Sequence, residues 1–314
     1  MPQLLLRRAR DLVIVLWVVG TVMFVVIRLV PGDPAVSILG DTATPEQLAV
    51  LRDSLGLSGS WYEQYAAWLG RVISGDLGTS ISFSEPVLPV ILGHVVPTLT
   101  LAVFSTVISF TVALMITLWG TVRPRSLAAR SVTQVASLGM ALPQFWVALI
   151  VILVFAMVLG WFPPSGYADL LTDPFTAVPS LVLPVVVLVV GDVAVYLIFL
   201  RESVTNEMSQ LYLRTARSKG LSETRVALGH ALPNALMPIL TVMGGHFATL
   251  VGGVVIVETV FVIPGLGSLA LQAISTRDYP LVQGVTLFVT LLFVVVNLLV
   301  DLSYALIDPK VRVS

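Results

Sequence analysis

The chain has no cysteine. Disulfides, thiolate nucleophiles and thiolate metal ligands are therefore excluded, and nothing in the sequence reports on redox compartment. Charge is scarce too. Only 11% of the 314 residues are Asp, Glu, Lys or Arg, against about 25% in soluble domains. The 17 basic and 18 acidic side chains nearly cancel, so no excess of positive charge points to nucleic acid. Histidine occurs only as His94, His230 and His246, without the spacing of a zinc site. No Gly-x4-Gly-Lys-Ser/Thr phosphate-binding loop is present. Gly265-x-Gly267-x-x-Ala270 mimics a dinucleotide fingerprint, but no strand–helix–strand unit surrounds it. The Gly-x-Ser-x-Gly elbow of a serine hydrolase is missing as well, which argues against an intramembrane protease.

What the sequence has in quantity is apolar length. It is 57% hydrophobic, with a mean hydropathy of +0.98. Six runs are near or above the ~20 residues that cross ~30 Å of hydrocarbon as a helix. They cover residues 12–30, 98–121, 132–161, 179–200, 236–262 and 282–307, and Pro143 and Gln144 interrupt the third. Helices satisfy their own backbone groups, and the runs lack the alternation of a barrel. The fold class is therefore all-α and polytopic, one membrane domain over residues 1–314. The first run follows Arg7, Arg8 and Arg10, as a signal peptide would. It is too long for a signal core and ends Arg28-Leu29-Val30-Pro31-Gly32, so it reads as an uncleaved span.

Basic residues set the orientation. All but Arg28, Arg52, Arg71 and Arg277 of the 17 fall on one side of the spans. Both termini and the segment 201–235 are thus expected in the cytoplasm of a plasma-membrane protein. Segment 31–97 and the loop 263–281 are expected outside. In the outer segment, Thr44-Pro45-Glu46 is a helix start, Leu48, Leu51 and Leu55 make a stripe, and Gly56 stops it. Trp61, Tyr65 and Trp68 recur at helical spacing. Such a face either lies at the lipid headgroups or packs on the outer ends of the spans.

The polar stretch 212–238 stands between two apolar spans. Gly220 falls where a first helix should stop, since glycine takes the left-handed conformation at no steric cost. Ser222 can cap a second helix. Pro233 should end or kink it before Asn234. The stretch predicts helix, tight turn, helix, then a span.

These residues resemble the coupling loop of the membrane subunits of ATP-binding-cassette importers. That family's pattern is Glu-Ala-Ala, three residues, Gly, nine residues, Ile-x-Leu-Pro. Ala216, Gly220, Leu232 and Pro233 match at those spacings, whereas Arg214, Thr215 and His230 depart from it. The form Arg214-Thr215-Ala216-Arg217-Ser218-Lys219-Gly220-Leu221 is similar to the dipeptide and oligopeptide permease branch. So are Pro31-Gly32-Asp33-Pro34, Gly56-Leu57, Gly75-Asp76-Leu77-Gly78, Glu258-Thr259-Val260-Phe261, Pro264-Gly265-Leu266-Gly267, Arg277-Asp278-Tyr279-Pro280, Asp301-Leu302-Ser303-Tyr304 and Asp308-Pro309-Lys310. The resemblance implies a type I importer permease fold with six spans. It implies transport of peptides without enzymatic activity in this chain, and docking of the loop on a cytoplasmic ATPase, with Ala216 allowing close approach. The partners it implies are a second homologous permease, ATPase subunits that carry the ATP and Mg, and an extracytoplasmic substrate-binding protein. No cofactor is expected on the chain itself. Nickel complexes and haem are carried by relatives and stay open as cargo. The outer loop with Pro264, Gly265, Leu266, Gly267, Ser268 and Gln272 is the expected contact for the binding protein.

Charges inside the spans are the remaining candidates. Such residues are costly in lipid and face the bundle or a wet cavity. Asp192 is the candidate for lining the translocation pathway. Glu258, Asn297 and Asp301 are candidate structural groups, and Arg28 a side chain that snorkels to the interface. Asp192 and Glu258 would also suit an ion-coupled secondary transporter, which would leave the Gly220 loop unexplained. Gly244, Ala248 and Gly252, with Gly245, Thr249 and Gly253 beside them, predict a close helix-packing face.

Overall fold

A computed structural model of the chain describes residues 2–29, 36, 43–54, 58–123, 126–170 and 172–307. Among these the only extended pairing is a single bridge between Thr79 and Pro86. The rest is helix and connection. In chain order the helices are α1 (Pro2–Leu29), α2 (Pro45–Ser54), α3 (Trp61–Ile73), α4 (Val87–Val122), α5 (Leu127–Leu138), α6 (Gln144–Val151), α7 (Pro174–Met208), α8 (Leu211–Ser218), α9 (Glu223–Val226), α10 (Leu232–Gly253), α11 (Val255–Phe261), α12 (Leu266–Ser275) and α13 (Tyr279–Ile307).

Five helices are long and apolar enough to cross a membrane unbroken: α1, α4, α7, the stretch leading into α10, and α13. The run expected at 132–161 is broken instead. A 3-10 turn, Gly139–Ala141, follows α5, and a π turn, Ile152–Val158, follows α6. The two halves meet at an angle of 108°. Pro143 explains the break. It pushes Leu142 into an extended conformation (φ −87°, ψ 122°) and itself starts α6. The span expected at 98–121 begins eleven residues early, at Val87, because Pro97 is absorbed inside α4. The gaps among the described residues leave Pro31-Gly32-Asp33-Pro34, Leu55-Gly56-Leu57 and Asp308-Pro309-Lys310 outside them.

The chain divides into two compact units. The first holds residues 1–95 and 268–292. Its core is Phe24, Trp68 and Leu287, with Tyr65, Leu69 and Leu77 packed around them. The aromatic stripe is therefore split. Tyr65 and Trp68 stack on Phe24, with centroids 5.1 Å and 5.5 Å away, and the Tyr65 hydroxyl hydrogen-bonds that of Thr21 at 2.8 Å. Trp61 and Tyr62 face outward. Glu63 accepts hydrogen bonds from the Ser60 hydroxyl and amide at the start of α3, which hold its carboxyl below the usual range. Arg28 has partners on α3 and on its own helix. Its Nε donates to Gln64 Oε1 at 2.9 Å, and its guanidinium lies 3.4 Å from the centre of the Phe24 ring. Asp278, fully buried, accepts from Ser80 Oγ at 2.6 Å, Ser82 N at 2.9 Å and Leu281 N at 3.2 Å. It thereby caps the start of α13 and clasps the turn after α3.

The second unit holds residues 96–267 and 293–314. It is built on α7, whose apolar stretch is the most buried of the candidate spans, although Ile198, Phe199 and polar residues of its last turns are exposed. Ala113, Val193, Tyr196, Leu197, Leu200 and Ile239 form its core. In lipid, packing rather than water exclusion drives such association, so small residues matter where helices touch. Gly139 lies directly against the Val190 carbonyl, and Gly244 directly against the Val300 side chain. Of the expected packing face, Gly244 and Ala248 are buried, whereas Thr249 and Gly252 are exposed. Replacing Gly244 by Ile would drive two branched side chains into one space. We expect a loss of about 1–3 kcal/mol, the usual cost of overpacking, visible as a lowered melting temperature of the purified chain. An unchanged melting temperature would show that α10 and α13 do not touch at Gly244.

Candidate functional site

The polar stretch folds as its local chemistry requires. Helix α7 does not stop at residue 200 but runs on to Met208, so a single rod reaches from the span into the loop. After one turn α8 begins, and Lys219 and Gly220 end it. Gly220 sits at φ +80°, the left-handed region, and its amide bonds the Arg217 carbonyl at 2.9 Å. Ser222 Oγ then caps α9 by accepting from Arg225 N at 3.4 Å. Pro233 goes with a distortion of the helix rather than with its end, the second of the two outcomes expected of it. A π turn, Ala227–Ala231, carries α9 into α10, and Pro233 falls at the second residue of α10. Proline is tolerated in a first turn, where its missing donor is not needed. The segment bends through a π turn rather than ending.

The loop has its own small core of Leu213, Ala216, Val226 and Ala231, closed by Met208 and Leu221. Ala216 is thus turned inward, where its small side chain lets α8 and α9 meet, and not outward toward a partner. Leu232 is partly buried. Arg214, Thr215, Lys219, Gly220 and Pro233 are exposed. Arg217 and Glu223 link α8 to α9 with contacts of 2.8 Å and 3.3 Å, an exposed pair contributing about 0–1 kcal/mol. A polar brace does more. Tyr212 donates to Glu207 Oε1 at 2.6 Å, near the end of α7, and accepts from Asn234 Nδ2 at 2.9 Å, on α10. Asn234 also reaches the His230 carbonyl at 3.3 Å. Burial, then the Glu207 hydrogen bond, raise the Tyr212 hydroxyl above its ordinary pKa, so it stays a donor at neutral pH. Glu207, Tyr212 and Asn234 were not legible as a set, because they are joined across 27 residues. Ser203 Oγ adds a bond to the Ala235 carbonyl at 2.7 Å, again from α7 to α10.

The buried acids are each tied within the chain. Asp192 is 3% exposed, and its Oδ1 lies 2.9 Å from His246 Nε2 on α10. Tyr196, one turn further, meets the His246 ring edge-on at 5.3 Å and Phe110 at 6.1 Å. Asp192 therefore has a partner inside the chain, on the neighbouring helix α10. Its second oxygen and the Tyr196 hydroxyl are buried without a partner among the described residues. Glu258 is fully buried. Thr98 donates to it at 2.6 Å and in turn accepts from the Leu266 amide at 2.8 Å. Gly265 presses against its carboxylate and Gly267 against Val255, with no room for a side chain at either. Val262 is held left-handed at φ 56°, strain that a β-branched residue bears only when its surroundings impose it. Gly265, Leu266 and Gly267 are thus buried parts of this bracket, which corrects their assignment as surface contacts. Pro264 and Gln272 are exposed and Ser268 partly so. Asn297 only returns to its own helix, donating to the Phe293 carbonyl at 2.9 Å. The Asp301 side chain lies outside the described residues. No cluster of metal-ligating side chains occurs among the described residues.

Apolar helices long enough to cross a membrane, with a braced polar loop between two of them, define a multi-pass membrane protein. The chain belongs to the family described as binding-protein-dependent transport system inner membrane component, whose model matches residues 117–313. The family's N-terminal model matches residues 1–102. A putative peptide transport system permease protein of Brucella abortus is 39% identical over 312 residues, 99% of each chain. The oligopeptide transport system permease protein AppB of Bacillus subtilis is 34% identical over 315 residues, 99% of this chain and 100% of that one. A solved amino acid ABC transporter covers 71% of this chain and 94% of its own at a TM-score of 0.46 and 18% identity, a likeness too slight to bear on the fold. The chain is a multi-pass membrane permease.

The Asp192–His246 contact is testable by a double-mutant cycle. Removing either partner leaves the other buried and unsatisfied, at about 1–3 kcal/mol. Asp192→Leu and His246→Leu should each lower the melting temperature, and the double substitution should cost less than their sum. Additive losses would show that the two side chains do not interact.

Proposed function

We propose that this chain is one half of the membrane passage of an ATP-driven importer that takes up peptides. The observation that carries the reading is the loop 201–235, a solid polar body fixed to the ends of α7 and α10. Such a body transmits a push; a slack loop would absorb it. The relatives described as peptide and oligopeptide permeases, similar over 99% of the chain, supply the cargo class. The basic residues put the loop and both termini in the cytoplasm. There a partner ATPase, which binds ATP and Mg, docks on the exposed side of the loop. Leu211 is 72% exposed and Leu228 45%, and Arg214, Thr215 and Lys219 also face outward. A second homologous permease completes the passage, and an extracytoplasmic binding protein delivers the peptide. An ion-coupled carrier is not favoured, since Asp192 and Glu258 both have partners in the chain.

The loop geometry makes Gly220→Val the decisive test. No atom lies within 4 Å of where a Cβ would go, so the penalty is conformational. A β-branched residue at φ +80° costs at least about 1–2 kcal/mol. The variant should insert and assemble, yet lose peptide uptake and the stimulation of ATP hydrolysis. Normal uptake at normal expression would refute the coupling role.

The exposed residues of the outer loop give a second test. The chain has no cysteine, so single cysteines at Ser268 or Gln272 are uniquely reactive. They should crosslink to the binding protein in the assembled complex. Failure there, with efficient capture from the segment 58–86, would move the contact to that segment.

A further inference from the structure

We propose that a cleft between α4, α5 and α7 binds the phosphate headgroup of an anionic phospholipid. The cleft has two adjoining lobes of about 400 Å³ each, which share Thr133, Leu197, Arg201 and Thr205. It lies at the end of α7 that leads into the polar loop. Arg123 and Arg201 line it, opposed by the single carboxylate of Glu202 on one rim. Neither guanidinium has a hydrogen-bond or ion-pair partner among the described residues. A planar guanidinium matches two oxygens of a phosphate at once. A second, independent feature points the same way. Thr117 is 5% exposed and lines the cleft, yet its hydroxyl has no partner among the described residues. A buried hydroxyl left unpaired is costly unless something outside the chain completes it.

The shared chemistry is a phosphate group, and the surroundings favour one tethered to lipid. Leu197 and Ile198 line the cleft beside the arginines, and Ile198 is exposed to the outside of the unit. Val132 and Val135, flanking Thr133 on α5, are also exposed. Acyl chains can follow those side chains while the headgroup meets the arginines. Basic pockets at the ends of membrane helices suit anionic lipid for this reason.

The test is thermal unfolding of the full chain, purified in its complex, with added phosphatidylglycerol, phosphatidylcholine or inorganic phosphate. Phosphatidylglycerol should raise the melting temperature, and the other two should not. Arg123→Gln and Arg201→Gln should each weaken the half-maximal lipid dose about fivefold, and the double variant should abolish the shift. An equal shift with inorganic phosphate would overturn the lipid source and leave a soluble phosphate as ligand. An equal shift with phosphatidylcholine, no shift at all, or a full shift in the double variant would overturn the site. Should the double variant not assemble, Thr117→Val carries the test. It keeps the shape of the side chain, so the unliganded melting temperature should hold while the phosphatidylglycerol shift shrinks. An unchanged shift in Thr117→Val would then overturn the proposal.

Discussion

Inside hydrocarbon a polar group has no water to fall back on, and every acid in a span must find its partner in the chain. That constraint decides much of how this protein packs. Glu258 takes Thr98, and Thr98 takes the Leu266 amide, so one carboxylate joins the start of α4's membrane stretch to the turn after α11. Asp192 takes His246 and so joins α7 to α10. In lipid these bonds carry specificity, because apolar faces are as content with acyl chains as with one another. A Leu on α7 gains little by choosing α10 over lipid. Asp192 has no such freedom.

The same reasoning accounts for the glycines that matter. Gly265 is small because the Glu258 carboxylate occupies the space a Cβ would need, and Gly267 because Val255 does, with the same carboxylate beside it. Gly220 is different in kind. Nothing crowds it, and only its positive φ calls for glycine. One pair serves close approach to a buried charge, and the other position serves a turn. The loop around Gly220 is held by side chains rather than by lipid, and its brace consists of neutral or exposed groups, as suits a segment in water.

What could be read from the sequence was local. The all-helical, apolar character followed from apolar length, the end of α8 from Gly220, and the cap of α9 from Ser222, because each is decided by a few neighbouring residues. The break at Pro143 was visible as a proline in an apolar run, though not its 108° angle. Pro233 signalled a disturbance of the helix, and the π turn Ala227–Ala231 just before it is one. Partnerships across the chain were not visible. Arg28 and Gln64 are 36 residues apart, and Asp192 and His246 are 54 apart. An isolated polar residue in each of two spans was the available hint for the second pair. His246 had been set aside for lacking zinc spacing, although a lone histidine in a span calls for a partner as much as a lone acid does.

The ties between α7 and α10 bear on how a push at the loop can spread. Asp192–His246 is one tie and Ser203–Ala235 another. On α7 the two are eleven residues apart, or about 16 Å along the axis. A single bond lets two helices pivot about it. Two bonds that far apart resist rotation, and the Tyr212–Glu207–Asn234 brace adds a third point beyond them. Movement of the loop therefore cannot bend α7 away from α10 without breaking hydrogen bonds, two of them partly buried. The cheaper response is for the two helices and the loop to move together as one body. Helices α5 and α6, with a 108° break, a 3-10 turn and a π turn between and after them, are irregular stretches of the same unit, as is the π turn Ala227–Ala231 ahead of α10.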